Sequence, residues 1–141
     1  MSDDLYAGDV TPRDAWEILE NDPEAVLVDV RTDAEFRYVG IPDLSSLKKE
    51  ISFVSWQVFP SMSVNPDFAE QVINLGVSPE TPILFLCRSG VRSKSAAQVM
   101  TGRGYEKCYN VSEGFEGDPD PSRHRGTVNG WKVAGLPWVQ G

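Results

Sequence analysis

At 141 residues, 40% of them hydrophobic, the chain is long enough to bury one core without disulfide staples, and residues 1–141 read as a single domain. A formal net charge of −8 argues against nucleic acid or an anionic membrane as partner, and it obliges any anionic substrate to find a local cationic site. Two cysteines make no disulfide framework, one histidine makes no His-rich metal cage, and no cysteine pair has zinc-ligand spacing. No apolar run approaches the roughly 18 residues of a membrane helix. The start Met1-Ser2-Asp3-Asp4 lacks the basic and apolar regions of a signal peptide, so a cytoplasmic location is expected.

Thr11-Pro12-Arg13-Asp14 reads as a helix start: Thr caps, Pro occupies the first turn, and an acid sits near the positive end. That helix is expected to reach about Glu20 and stop in Asn21-Asp22-Pro23. "AVLVDV", Ala25 to Val30, is apolar on both faces, as a buried parallel strand should be. Thr32-Asp33-Ala34-Glu35 has the form of a capping box opening a short helix, which Gly40 and Pro42 close. "ISFVSWQVF", Ile51 to Phe59, alternates like a strand, with Ile51, Phe53 and Trp56 competing for the inner face. Asn65-Pro66 opens a helix through about Leu75, ending at Gly76. "PILFL" is the second clear buried strand, and a helix from about Ser93 to Thr101 ends in the Gly-rich cap Gly102-Arg103-Gly104. "KCYNV" is a third strand, 118–127 a loop, and "NGWKVAGLPW" a last helical turn or two. Strands alternating with helices imply an α/β fold with a mostly parallel sheet.

Cys87 ends a strand immediately before a helix, the place where open α/β sheets bind ligands. An isolated cysteine there is ordinarily a small buried hydrophobe. Its neighbours argue otherwise. Backbone N–H groups of Arg88, Ser89, Gly90, Val91 and Arg92 can form a concave nest for an anion. The following helix, which opens at Ser93, adds partial positive charge at its N-terminus. With Arg88 and Arg92 these favour thiolate over thiol, and Gly90 permits a turn closed to residues with a β-carbon.

The run Cys87-Arg88-Ser89-Gly90-Val91-Arg92-Ser93 resembles the active-site loop of rhodanese-like sulfurtransferases. "LVDVRTDAEF", Leu27 to Phe36, is similar to the first signature of that family, and "YNVSEGFEG" and "GWKVAGLPW" to its C-terminal part. The resemblance spans about Val10 to Trp138. It implies a rhodanese-like central sheet of about five mostly parallel strands with helices on both faces. It also implies a two-step reaction: Cys87 takes a sulfur from a small anionic donor such as thiosulfate, holds it as a persulfide in the loop, and yields it to cyanide or a thiol. A sulfur-accepting protein is a further possible partner, and no metal or organic cofactor is needed. The chain departs from the family where Gly40-Ile41-Pro42-Asp43-Leu44 stands for a Gly-His-Ile-Pro-Gly-Ala run, and the stretch to Pro66 is longer than usual.

Two alternatives compete. Cysteine phosphatases sharing this fold place five residues between Cys and Arg, whereas here only four separate Cys87 from Arg92, a ring better suited to one sulfur atom. A rhodanese-like carrier or binding module without turnover is the other, although such modules often lack the cysteine.

Asp29 and Arg31 fall on the same rim as Cys87. Asp29 either steadies an arginine or the loop amides, or is a structural ion pair or cap without direct chemistry; Arg31 either meets an anionic donor or faces water. Glu113 is expected to be solvated, Gly114 to serve a turn, Trp56 and Trp131 to be core or pocket wall, and His124 to lie in a surface loop. Cys108 opens its strand while Cys87 closes another, so in parallel neighbours they lie at opposite ends, on the order of 13 Å apart along the strand, too far to bridge.

Overall fold

Continuous apolar strands need cover on both faces, and the architecture supplies it. A computed structural model of the chain describes residues 6–32, 35–36, 39–58 and 63–140, with backbone only for Val58. In chain order the elements are β1 (Gly8–Val10), α1 (Pro12–Asn21), β2 (Val26–Asp29), β3 (Ile41–Pro42), a 3-10 turn (Ser45–Leu47), β4 (Ser52–Phe53), β5 (Gln57–Val58), β6 (Ser63–Val64), α2 (Phe68–Ile73), β7 (Ile83–Leu86), α3 (Val91–Gly102), β8 (Cys108–Val111) and β9 (Trp138–Val139). A five-stranded sheet runs in the order β1-β8-β7-β2-β4, and every neighbouring pair in it is parallel. Two small antiparallel pairs, β3 with β9 and β5 with β6, stand beside it.

The side-chain period of two divides the core between the sheet faces. Val28, Val30, Ile83, Phe85, Cys87 and Cys108 share one cluster with Phe68, Ala69 and Val72 of α2 and Ala96, Ala97 and Met100 of α3. Leu27, Leu84, Leu86 and Val111 join Ala15 and Leu19 of α1, with Phe115 and Trp131, in the other. Helices therefore cover both faces. Because the strands are parallel, their carboxyl ends share one rim, which carries Asp29, Arg31, Cys87 and Ser112 together.

The helix starts follow local chemistry. Thr11 Oγ1 accepts the Asp14 amide at 3.1 Å, with Pro12 opening α1. Thr32 and Glu35 form the reciprocal bonds of a capping box: Thr32 N–H to Glu35 Oε1 at 3.1 Å and Glu35 N–H to Thr32 Oγ1 at 3.4 Å. Asp33 and Ala34, between them, lie outside the described residues.

Four expectations need correction. The Ile51–Phe59 strand is two short ones, β4 at the sheet edge and β5 in a hairpin with β6, and Phe59 lies outside the described residues. Its inner residue is Val54, 4% exposed, whereas Phe53 is 44% exposed because edge pairing turns it outward. The helix after Asn65 is confined to Phe68–Ile73, Asn65 instead accepting the Asp67 amide in a local turn at 3.0 Å. The closing segment is turns followed by β9, whose Trp138 and Val139 pair with Pro42 and Ile41. The first strand, β1, carries no apolar run, and its pairing with β8 is what places it in the sheet.

Phe85 is fully buried at the centre of β7, with its ring 6.2 Å from that of Phe68. Phe85→Ala is expected to cost about 3–5 kcal/mol, read as a lowered urea midpoint at an unchanged slope.

Candidate functional site

The peptide planes of the Cys87 loop are aimed from outside. Phe115 N–H donates to the Cys87 carbonyl at 2.8 Å, and Glu116 and Gly117 N–H donate to the Arg88 carbonyl at 3.0 and 3.1 Å. In a trans peptide the C=O and the next N–H point opposite ways, so holding these carbonyls turns the amides of Arg88 and Ser89 to the other side. The two turns approach closely enough to require glycine twice. Gly90 has φ 103° and a β-carbon there would strike the Ser112 carbonyl; Gly114 has φ 69° and a β-carbon would strike the backbone of Arg88.

Within this ring Gly90 N–H donates to Cys87 Sγ at 3.1 Å. Among the described residues the amides of Arg88, Ser89, Val91 and Arg92 donate to no acceptor. They stand at the N-terminus of α3, twelve residues long, where the helix adds its own positive potential. Open amides beside one sulfur at a helix N-terminus are the chemical requirement of a main-chain anion site. Helix α3 begins at Val91, two residues before the position expected from sequence, so the loop amides and the helix start are continuous.

Cys87 is 1% exposed and sits on the floor of the ring. Its sulfur lies 3.2 Å from Ser93 Oγ, Ser93 Oγ–H donates to Asn110 Oδ1 at 2.6 Å, and Asn110 Nδ2 donates to Asp9 Oδ1 at 3.0 Å. Tyr6 OH donates to the same Asp9 oxygen at 2.7 Å; that hydrogen bond, with burial and the carboxylate charge, pushes the phenol up to about 12.

The two loop arginines part company. Arg92 makes a bidentate pair with Glu35, Nη1 to Oε1 at 2.7 Å and Nη2 to Oε2 at 2.9 Å. Burial works against the charge of Glu35, but Arg92 and the Thr32 amide outweigh it and hold the carboxyl down to about 2; Arg92 is pushed up in return, chiefly by its bonds to Glu35. Arg88 is exposed, and its guanidinium has no partner among the described residues. Val91, beside it, is 74% exposed.

Asp29 and Arg31 are both fully buried and bound to each other: Arg31 Nη2 to Oδ2 at 2.6 Å, Nε to both oxygens at 2.9 and 3.1 Å, and its amide to Oδ1 at 3.1 Å. Arg31 thus meets neither a donor nor water, and Asp29 steadies Arg31 rather than the loop. Burial drives the Asp29 carboxyl upward against the pull of Arg31. The guanidinium also donates to the Gly40 carbonyl at 2.8 Å and lies 4.4 Å from the Phe115 ring centre, beneath the residue whose amide grips Cys87.

The other candidates are structural in placement. Glu113 accepts the Gly130 amide at 3.0 Å, Trp131 is fully buried against Trp16, Trp56 packs edge-on to Phe68, and His124 is exposed. Cys108 pairs in register with Ile83, at the far end of β7 from Cys87, and burial pushes its thiol up to about 11. A cleft of about 610 Å³ along α1, lined by Asp14, Glu17 and Asp22, includes none of these rim residues. Asn110, Asp9 and Glu35 escaped the sequence reading as site residues. The one available signal was Asn110, a polar residue inside an otherwise buried strand.

The chain matches the family model described as the STR4 middle domain over residues 7–141. It is 50% identical to Rv0390 of M. tuberculosis, whose crystal structure is similar at a TM-score of 0.89, covering 97% of this chain and 100% of that one. Protein RC0915 of Rickettsia conorii is 41% identical over 125 residues, 88% of this chain and 90% of the relative. Thiosulfate sulfurtransferase GlpE of Actinobacillus pleuropneumoniae is 27% identical over 129 residues, 92% of this chain and 90% of the relative.

Glu35→Gln removes the charge that holds Arg92. Because the folded carboxyl lies well below its ordinary value of 4.5, its contribution is complete above that value and fades as pH falls toward 2. The variant is expected to be less stable by on the order of 1–3 kcal/mol at neutral pH. The difference from the native protein in chemical-denaturation midpoint should close between pH 4.5 and 2.

Proposed function

The chain belongs to the STR4 middle-domain family, among the rhodanese-like sulfurtransferases, and from that premise we propose that it moves a sulfane sulfur from an anionic donor to a thiophilic acceptor through a persulfide on Cys87. The observation that carries this reading is the ring itself. One loop amide already donates to the sulfur, and four more are open beside it at a helix N-terminus.

Cys87 loses its proton to solvent and, as thiolate, attacks the outer sulfur of a donor such as thiosulfate. The S–S bond of the donor breaks, and sulfite leaves with the electron pair. The terminal sulfur of the new persulfide carries negative charge, and the open amides of the ring are its natural donors. Cyanide or an acceptor thiolate then attacks that terminal sulfur, departs as thiocyanate or as a persulfide, and returns Cys87 as thiolate. The sulfur of Cys87 is almost wholly enclosed, so the loop must widen to admit a donor.

Arg88 is the loop cation left to meet the donor's charge, since Arg92 is engaged by Glu35. Cys87 and the loop Arg88 to Ser93 are thus the proposed site. Asp29 and Arg31 support it from below, through Phe115. No helix among the described residues is long and apolar enough to cross a membrane.

The test is intact mass after incubation with thiosulfate. The native protein should gain one sulfur that cyanide removes, and Cys87→Ser should gain none. A protein that keeps its mass under these conditions, or a serine variant that gains sulfur, would overturn the reading. Arg88→Ala should raise KM for thiosulfate by about 3–10-fold with a smaller change in kcat, the pattern of lost charge attraction in the ground state and the transition state alike.

A further inference from the structure

The hydrogen bonds around Cys87 have a polarity that can be worked out from the exposed end inward. Asp9 is exposed and, as a carboxylate, only accepts. It therefore takes an N–H from Asn110, which fixes the amide with Oδ1 turned toward Ser93. That oxygen takes the one proton of the Ser93 hydroxyl, at 2.6 Å. Ser93 is left facing Cys87 with a lone pair, and the only proton that can fill the 3.2 Å contact is the thiol's own. Tyr6 donates to Asp9 from the other side and reinforces its role as acceptor. Ser93 and Asn110 are 0% and 3% exposed, so water does not substitute for the partners they would lose.

The Ser93 contact, taken alone, suits a thiol at rest and opposes a thiolate, working against the Gly90 amide, the open loop amides, the α3 N-terminus and Arg92, all of which favour the charge. Once Cys87 has lost its proton, the Ser93 lone pair faces a negative sulfur. The contact becomes favourable when the hydroxyl rotates and donates to it, which leaves Asn110 Oδ1 buried without a donor. We propose that Ser93 is a two-position hydroxyl, accepting from the Cys87 thiol at rest and donating to its sulfur when charged, and that Asn110, oriented by Asp9, is the positioning residue that sets the balance between the two. The proposal rests on the sulfur-transfer reading for its purpose, since it would keep the cysteine quiet until a donor arrives. An amide does not pass protons along such a chain, so the series orients Ser93 and conducts nothing.

Site-resolved alkylation of Cys87 by iodoacetamide, followed from pH 6 to pH 9, tests this without requiring sulfur transfer. Asn110→Ala frees the Ser93 hydroxyl to serve the sulfur, so the labelling curve should move to lower pH, with a rate near neutrality about 3–10-fold higher. Ser93→Ala removes the donor to the thiolate, so the curve should move to higher pH, with a rate about tenfold lower. In the Ser93→Ala background Asn110→Ala should have no further effect. Should Asn110→Ala fail to fold, Asp9→Ala, at an exposed position, should move the curve in the same direction as Asn110→Ala, and that shift too should vanish without Ser93. Shifts of both buried variants in one direction would mean simple loosening of the loop. An effect of Asn110→Ala or Asp9→Ala that persists without Ser93 would mean action through space. Either result overturns the proposal. A protein that alkylates as expected yet takes no sulfur from thiosulfate would support the switch and sink the sulfur-transfer reading.

Discussion

The grip of residues 115–117 on the carbonyls of Cys87 and Arg88 is the interaction on which the rim depends, because it decides which way the loop amides face. A five-residue turn left to itself satisfies its amides with its own carbonyls. Here two of those carbonyls are taken by a neighbouring turn, so the amides have no local partner and remain available to something else. The close approach this needs is why Gly90 and Gly114 stand where they do: each packs its α-carbon against the backbone of the opposite turn. The set of open amides is thus a property of two turns brought together by adjacent parallel strands, β7 and β8, and not of the Cys87 loop alone.

What holds the second turn is less local still. Phe115 has two cations over its ring, Arg31 at 4.4 Å and Lys132 at 5.2 Å from the ring centre. Arg31 is in turn fixed by Asp29 at the end of β2 and donates to the Gly40 carbonyl, while Lys132 donates to the Val39 carbonyl at 3.1 Å. A buried ion pair is a poor source of net stability, since desolvation offsets most of its attraction, and one nitrogen of Arg31, Nη1, has no partner among the described residues. What the pair supplies is position. It ties the segment after β2, the 39–40 backbone and the Phe115 ring into one unit beneath the loop.

The legible parts of the sequence were those where one residue type answers one local demand. Unbroken apolar runs marked β2 and β7, Thr-Pro marked the start of α1, and the Thr32–Glu35 spacing marked a capping box, because each is decided within a few residues. The Cys87 loop was legible for the same reason. β1 and β9 were not: Gly8–Val10 and Trp138–Val139 are strands only by virtue of their partners, and neither alternation nor apolar content announces that. The partners of the arginines were hidden in the same way. Nothing in the spacing says that Arg92 would find Glu35, 57 positions away, while Arg31 would turn back on Asp29. Asn110 shows the limit most clearly. Its place in β8 was readable, but its hydrogen-bond partners are Asp9 on one neighbouring strand and Ser93 on the helix across the sheet face.

The engagement of Arg92 also bears on the choice between sulfur and phosphate. A phosphate cradle needs room for a tetrahedral ion and an arginine free to clamp two of its oxygens. This loop has four residues between Cys87 and Arg92, and both terminal nitrogens of Arg92 are spent on the Glu35 carboxylate, which, against the cost of burial, its bonds to Arg92 and Thr32 keep ionised to about pH 2. Releasing the arginine to a phosphate would strand a half-buried carboxylate beside a second anion, a cost that a dianionic ligand raises and does not repay. A persulfide makes no such demand. It adds one atom to a sulfur already in place, carries a single charge, and needs only main-chain donors. Overall repulsion from a chain of net charge −8 is screened beyond about 8–10 Å at physiological ionic strength, so the field a donor meets at close range is set by the open amides, the α3 N-terminus and Arg88. The local positive site and the global negative charge are compatible because they act at different distances.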